Sequence, residues 1–244
     1  PAPLLATGWA AAVLEELGRG SGPLGSRVPP AKRRDFLSRA AVATERQLAA
    51  ADQSRRPALW LRLASLRTAA GRPREAVALL EQVVSDSQAG RSVLSQREVA
   101  RQLEEAAGSE SDRAAACQLF RAAAIGRQAA AGAIWGWGGL AGRISKRAFG
   151  DDDDEALRLR ELYFEARLRL AACRLAWADR EADAATRRKL LRQAAAELAI
   201  EARLHPELGG PEYRQRFAEL RRAIDRERDL PATSPAEAEE AEGR

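Results

Sequence analysis

Apolar residues recur every three or four positions along most of this chain, the pattern of helices that each bury one face. Leu5, Trp9, Val13 and Leu17 predict a helix over Pro1 to Leu17, and Phe36, Leu37, Ala40, Ala41, Thr44 and Leu48 a second over Ala31 to Ala51. Pro57 opens a third, as proline can in a first turn. Trp60, Leu63 and Ala64 line it, Gly71-Arg72-Pro73 turns the chain, and Ala76 to Leu80 start a helix running back to about Ser87. Ser92 to Ala107 and Asp112 to Gln128 read as the next two helices, with Asp112 as N-cap. Glu155 to Ala182 forms a long helix with a stripe of Leu159, Leu162, Tyr163, Ala166, Leu170, Cys173 and Trp177. Thr186 to Leu204 runs back and stops at His205-Pro206-Glu207-Leu208-Gly209-Gly210. Pro211 to Asp229 closes the set, with Tyr213, Phe217, Leu220 and Ile224 facing inward. No run alternates apolar and polar residues with β-branched enrichment, so no strand is expected.

The breaks divide the chain. Gly18 to Pro30 is rich in Gly and Pro and reads as a loop, and Gln53 to Arg56 as a polar link. These set residues 1–52, two helices and a Gly/Pro loop, apart from a helical domain over residues 57–229. Inside that domain an insertion around residues 132–150 carries Trp135 and Trp137 among glycines, then a short segment from Arg143 to Phe149. Residues 230–244, with Pro, Thr, Ser, Ala and Glu, have the composition of a disordered acidic tail.

Composition supports helix throughout. Of 244 residues 45% are hydrophobic but only 5% aromatic, Ala and Leu supplying most of the rest. The net charge of +5 is nearly all arginine, the lysines being Lys32, Lys146 and Lys189, a bias that GC-rich coding produces as readily as nucleic-acid binding. No stretch approaches the ~20 apolar residues of a membrane span. The chain opens on Pro1 and contains no Met, as a fragment or processed product would.

Trp60, Leu63 and Ala64, then Gly71, then Ala76-x3-Leu80, are in the register of a tetratricopeptide repeat, and the chain resembles that family over roughly Pro57 to Asp229. A degenerate second unit carries Gly108 and Ala116-x3-Phe120. A third carries Leu170-Ala171, Ala194-x3-Leu198 and Pro206. Ile134-Trp135-Gly136-Trp137, Leu162 to Arg167 and Leu204 to Gly210 are similar to the C-terminal ends of large bacterial tetratricopeptide proteins. The resemblance implies an all-α fold: a short right-handed α-solenoid of antiparallel helix hairpins, ended by a capping helix. It implies a bacterial protein, with cytoplasm and periplasm both left open. Arg67 and Arg174 depart from the pattern, standing where an aromatic is usual.

Candidate chemistry is sparse. Gly136-x-Gly138-x-x-Ala141 matches a dinucleotide fingerprint as a string, but that motif needs a strand before it and a βαβ unit around it. Asp151 to Glu155 lacks the alternating ligands and turn glycine of a calcium loop and reads as acid at a helix start. His205 is the only histidine, placed at a helix end with no nucleophile elbow to serve. Cys117 and Cys173 read as small buried side chains, their pairing left open. Lys32-Arg33-Arg34, Arg187-Arg188-Lys189 and Arg221-Arg222 are basic, yet acids interleave at helical spacing elsewhere, as on an ion-paired surface. No catalytic residue, cofactor or metal ligand is expected. The expected function is a non-enzymatic interaction or scaffold module that binds a protein or peptide through Arg67, Arg174, Trp135 and Trp137. The alternative is a basic helical domain that binds nucleic acid or an anionic surface.

Overall fold

The computed structural model describes residues 2–21, 25–129, 132–150 and 152–229, without the side chains of residues 2–9 and 30. The expected acidic tail of residues 230–244 lies outside the described residues, as do residues 22–24 of the Gly/Pro loop. The chain divides into two compact units, Pro1–Arg143 and Ile144–Arg244.

The fold is all-α, with successive helices packed on one another. In the first unit these are α1 (Ala2–Arg19), α2 (Pro30–Ala49), α3 (Arg56–Ala69), α4 (Pro73–Ser85), α5 (Val93–Ser109) and α6 (Arg113–Ile125). Leu37, Ala40 and Ala41 of α2 share one core cluster with Leu63 and Leu66 of α3. Small residues at these positions let the helix axes approach, and the leucines fill the remaining space.

Local signals explain the boundaries. Pro57 lies in the first turn of α3. That helix ends in a Schellman motif: Arg72 N–H donates to Arg67 O at 2.8 Å, Gly71 N–H to Thr68 O at 2.9 Å, and Gly71 adopts φ +79°. The Ser92 hydroxyl caps α5 by accepting from Ser95 N–H, and Asp112 caps α6 by accepting from Ala114 and Ala115 N–H.

Two features differ from the sequence expectation. The helix expected to run to Gln128 ends at Ile125, because Gly126 takes φ +79° and leads into a two-stranded antiparallel ladder. Its strands are β1 (Arg127–Ala129) and β2 (Gly132–Ile134), with Arg127 paired to Ile134 and Ala129 to Gly132. The expectation of no strand therefore fails here: at three residues each, the strands are too short for alternation to register. The second difference is α7 (Gly136–Ala148), a helix that runs through the glycines of the insertion, where none is expected. Glycine weakens a helix, but Trp137, Leu140, Ala141, Ile144 and Ala148 are all buried at helical spacing, and that burial outweighs the propensity cost. The unit boundary falls within α7.

In the second unit α8 (Asp154–Arg180), α9 (Ala184–Leu204) and α10 (Pro211–Asp229) follow. Asp153 caps α8 by accepting from Ala156 N–H at 2.7 Å, and Asp183 caps α9 by accepting from Thr186 N–H at 2.8 Å. Beyond the expected stripe, α8 also buries Phe164 and Leu168, because both α9 and α10 pack against it.

Candidate functional site

Of the expected partner-binding residues, Arg67, Trp135 and Trp137 belong to the first unit and Arg174 to the second. In the first, strand β2 delivers Trp135 and Trp137 to the start of α7. Glycines make this possible. A Cβ on Gly126 would lie 2.4 Å from Ile134 O, one on Gly132 2.2 Å from Val84 O, and one on Gly136 2.4 Å from Gly126 N. Gly126 and Gly136 also have positive φ, which L side chains rarely adopt. Gln96 of α5 fixes the segment. Its amide donates to Gly90 O at 2.7 Å and Ala133 O at 2.8 Å, and its carbonyl accepts from Trp135 N–H at 3.0 Å.

The two indoles end in different environments. Trp137 is fully buried, and its Nε1–H donates to the Glu104 carboxylate at 3.2 Å. Trp135 is half-buried, and the Arg143 guanidinium carbon sits 4.4 Å from its ring centroid in cation–π contact. Within this segment, Trp135 rather than Trp137 offers surface.

Arg67 is turned inward. Only 12% of its side chain is exposed, and it pairs with Glu45 of α2 and, at 3.3 Å, with Glu75 of α4. One guanidinium therefore ties three helices. An aromatic would fill that gap by packing; the arginine fills it with its stem and places its charge between two carboxylates.

Arg174 in the second unit is built the same way. It is 12% exposed and reaches Glu197 Oε1 at 2.6 Å. One helical turn along α9, Glu201 is buried and accepts from Arg167 Nε at 2.6 Å and from the Tyr163 hydroxyl at 3.2 Å. Arg167 lies 2.9 Å from Glu197 Oε2 as well, close enough for charge attraction but not directed as a hydrogen bond. Burial, reinforced by the Glu201 charge, pushes the Tyr163 phenol up to about 12. Sequence reasoning missed Arg167, Glu197 and Glu201. Their i, i+4 spacing on α9 and the Tyr163/Arg167 spacing on α8 are signals only once the two helices are known to be neighbours.

His205 caps the end of α9 through its backbone N–H, while its ring stacks on Phe149 with centroids 4.3 Å apart and edges toward Tyr163 and Phe164. The ring is therefore part of an aromatic cluster. The acids before α8 are engaged too: Arg147 pairs with Asp153 at 2.6 Å and Glu155 at 3.1 Å, and Arg160 with Asp152. Cys173 is buried and Cys117 half-buried, and no disulfide joins them.

The dinucleotide string Gly136-x-Gly138-x-x-Ala141 does follow a strand and open a helix. That strand, however, pairs antiparallel in a two-stranded ladder, and Gly136 is packed against the end of α6 rather than facing an open crevice. Among the described residues no helix is long and apolar enough to cross a membrane, and no group of three or more His, Cys, Asp or Glu side chains is placed to hold a metal ion. No protein-family model, curated protein or solved structure matches the chain.

Proposed function

We propose that this chain is a non-enzymatic interaction module that binds a protein or peptide through an exposed face of packed helices. The mounting of Trp135 carries the reading. Its backbone is fixed by Gln96, its ring is covered on one side by Arg143, and part of it remains at the surface. Tryptophan and arginine are enriched among residues that anchor interfaces, and a side chain held in place before binding loses little entropy on docking. The finer architecture we infer is a tetratricopeptide-like, right-handed stack of antiparallel hairpins. Support comes from the Trp60/Leu63/Ala64 and Ala76/Leu80 register and from the Schellman turn between α3 and α4. In this reading Arg67 and Arg174 hold helices together, and the partner meets Trp135.

The basic alternative draws less support, because many arginines are already matched to carboxylates within the chain, as in Arg101 with Glu98 at 2.5 Å and Arg187 with Glu227 at 2.8 Å. Capture from a native lysate at low and moderate salt tests both. The interaction module predicts a discrete protein retained at moderate salt by the full chain and lost with Trp135→Ala. Recovery of nucleic acid at low salt alone would replace it with the basic-domain reading.

A further inference from the structure

We propose that the groove between α1 and α2 is a docking site for an amphipathic helix with acidic flanks, presented by a partner protein. This goes beyond the Trp135 surface to a second site on the same chain. The groove is open to solvent, has a volume of about 620 Å³, and is lined by Ala10 and Leu14 of α1 and by Ser38, Arg39, Val42, Ala43 and Arg46 of α2.

Shape, polarity and charge each narrow the occupant. Two helices packed side by side leave a channel whose width suits a third, and the alanines at its floor let another backbone come close. Leu14, Val42, Ala10 and Ala43 make that floor apolar, and Val42 is 45% exposed, a β-branched side chain left open to water in mid-helix. An isolated exposed valine would mean little; one set in a concave apolar channel marks a place where burial is gained on binding.

The rim selects for charge. Both charged residues lining the groove are arginines, and they stand on either side of Val42. Arg39 pairs with Asp35 at 2.9 Å, with both side chains more than half exposed, an arrangement that a partner carboxylate can share at little cost. α2 carries Lys32, Arg33, Arg34, Arg39 and Arg46 against two acids, Asp35 and Glu45, and Glu45 pairs inward with Arg67. On α1, Glu15 is engaged by Arg19 and Arg62, so Arg39 and Arg46 are the charges that line the groove itself. A helix with leucine-type residues on one face and Glu or Asp along its edges complements floor and rim together.

The test uses the full chain and two fluorescent synthetic peptides of equal length and identical leucine face, one flanked by glutamates and the other by lysines, read by anisotropy at moderate salt. The proposal expects the glutamate peptide to bind at least tenfold tighter than the lysine peptide. It expects that order to invert with Arg39→Glu/Arg46→Glu, and both affinities to fall at least tenfold with Val42→Asp. The inversion separates recognition from misfolding, since an unfolded variant gains no ligand. Equal binding of the two peptides, no binding of the glutamate peptide, or a Val42-dependent dimer by sedimentation would each overturn it, the last by assigning the groove to a second copy. Loss of peptide binding alongside intact Trp135-dependent capture would reject the groove alone; the reverse result would reject the Trp135 surface alone.

Discussion

Trp135 donates its backbone N–H to the side-chain carbonyl of Gln96, 39 positions earlier in the chain, at 3.0 Å. Gln96 is buried, and the same amide also donates to Gly90 and Ala133. Three hydrogen bonds from one side chain thus fix the segment that carries both indoles.

Gln96→Leu keeps the volume and removes all three bonds, leaving two carbonyls and one N–H without this partner. At roughly 1 kcal/mol for each net bond, with more where a group stays dry, the expected loss is about 3 kcal/mol. Urea unfolding followed by tryptophan fluorescence measures it. A change under about 1 kcal/mol would mean that the segment is held by other contacts.

Glycine substitutions should separate sharply by position. Gly71→Ala puts a Cβ into open space and incurs only the left-handed backbone penalty, about 1–2 kcal/mol. Gly126→Ala and Gly136→Ala combine that penalty with a Cβ 2.4 Å from backbone atoms, and roughly 3 kcal/mol or more is expected for each. Comparable melting temperatures for all three variants would contradict the packing of α6, the hairpin and α7.

This contrast shows what the sequence could and could not reveal. Helices with one apolar stripe were legible from spacing, as were turns marked by Gly71, Pro57 and Asp112, because these effects are local. The β1–β2 ladder was not, since its stability comes from Gln96 and from backbone packing against Val84, both distant in sequence. The helix through the glycine-rich start of α7 has no local signal, because propensity is local whereas the burial of Trp137 and Leu140 is not. Phe164 and Leu168 fell outside the expected stripe because α8 is covered by two helices, which spreads its apolar positions around the axis. Arg67 and Arg174 were visible as departures from the repeat pattern. Their partners Glu45 and Glu197, 22 and 23 residues away, were not.

Removing the charge of Glu201 should leave Arg167 facing a neutral amide. Glu201→Gln is expected to lower stability by about 1.5–3 kcal/mol, the worth of a charge-assisted hydrogen bond, because Arg167 keeps Glu197 within 2.9 Å and is not left unpaired. A double-mutant cycle with Arg167→Met measures the coupling and should return part of the loss. Additive single effects would show that the pair is not coupled.

The Tyr163 phenol gives stability a defined dependence on alkaline pH. Its folded value is about 12, pushed up chiefly by burial, against an ordinary value of 10.0. Below the ordinary value both states keep the proton and stability is unaffected. Above it the unfolded chain releases the proton while the folded chain holds it, so stability falls as pH rises toward the folded value. The slope is up to about 1.4 kcal/mol per pH unit. Tyr163→Phe lacks this contribution, so the stability gap between wild type and variant should shrink from pH 9 to pH 11 in urea titrations. A constant gap would place the hydroxyl in a solvated environment.

We propose above all that a partner protein docks on the surface anchored by Trp135. The most direct measurement is the Kd of the captured protein for the wild-type chain and for Trp135→Ala, each at about 50 and 200 mM salt. An affinity at least tenfold weaker is expected for the variant, about 1.4 kcal/mol or more, with a modest response to salt. Equal affinities for the two chains, or a loss of about a thousandfold between those salt concentrations, would contradict it.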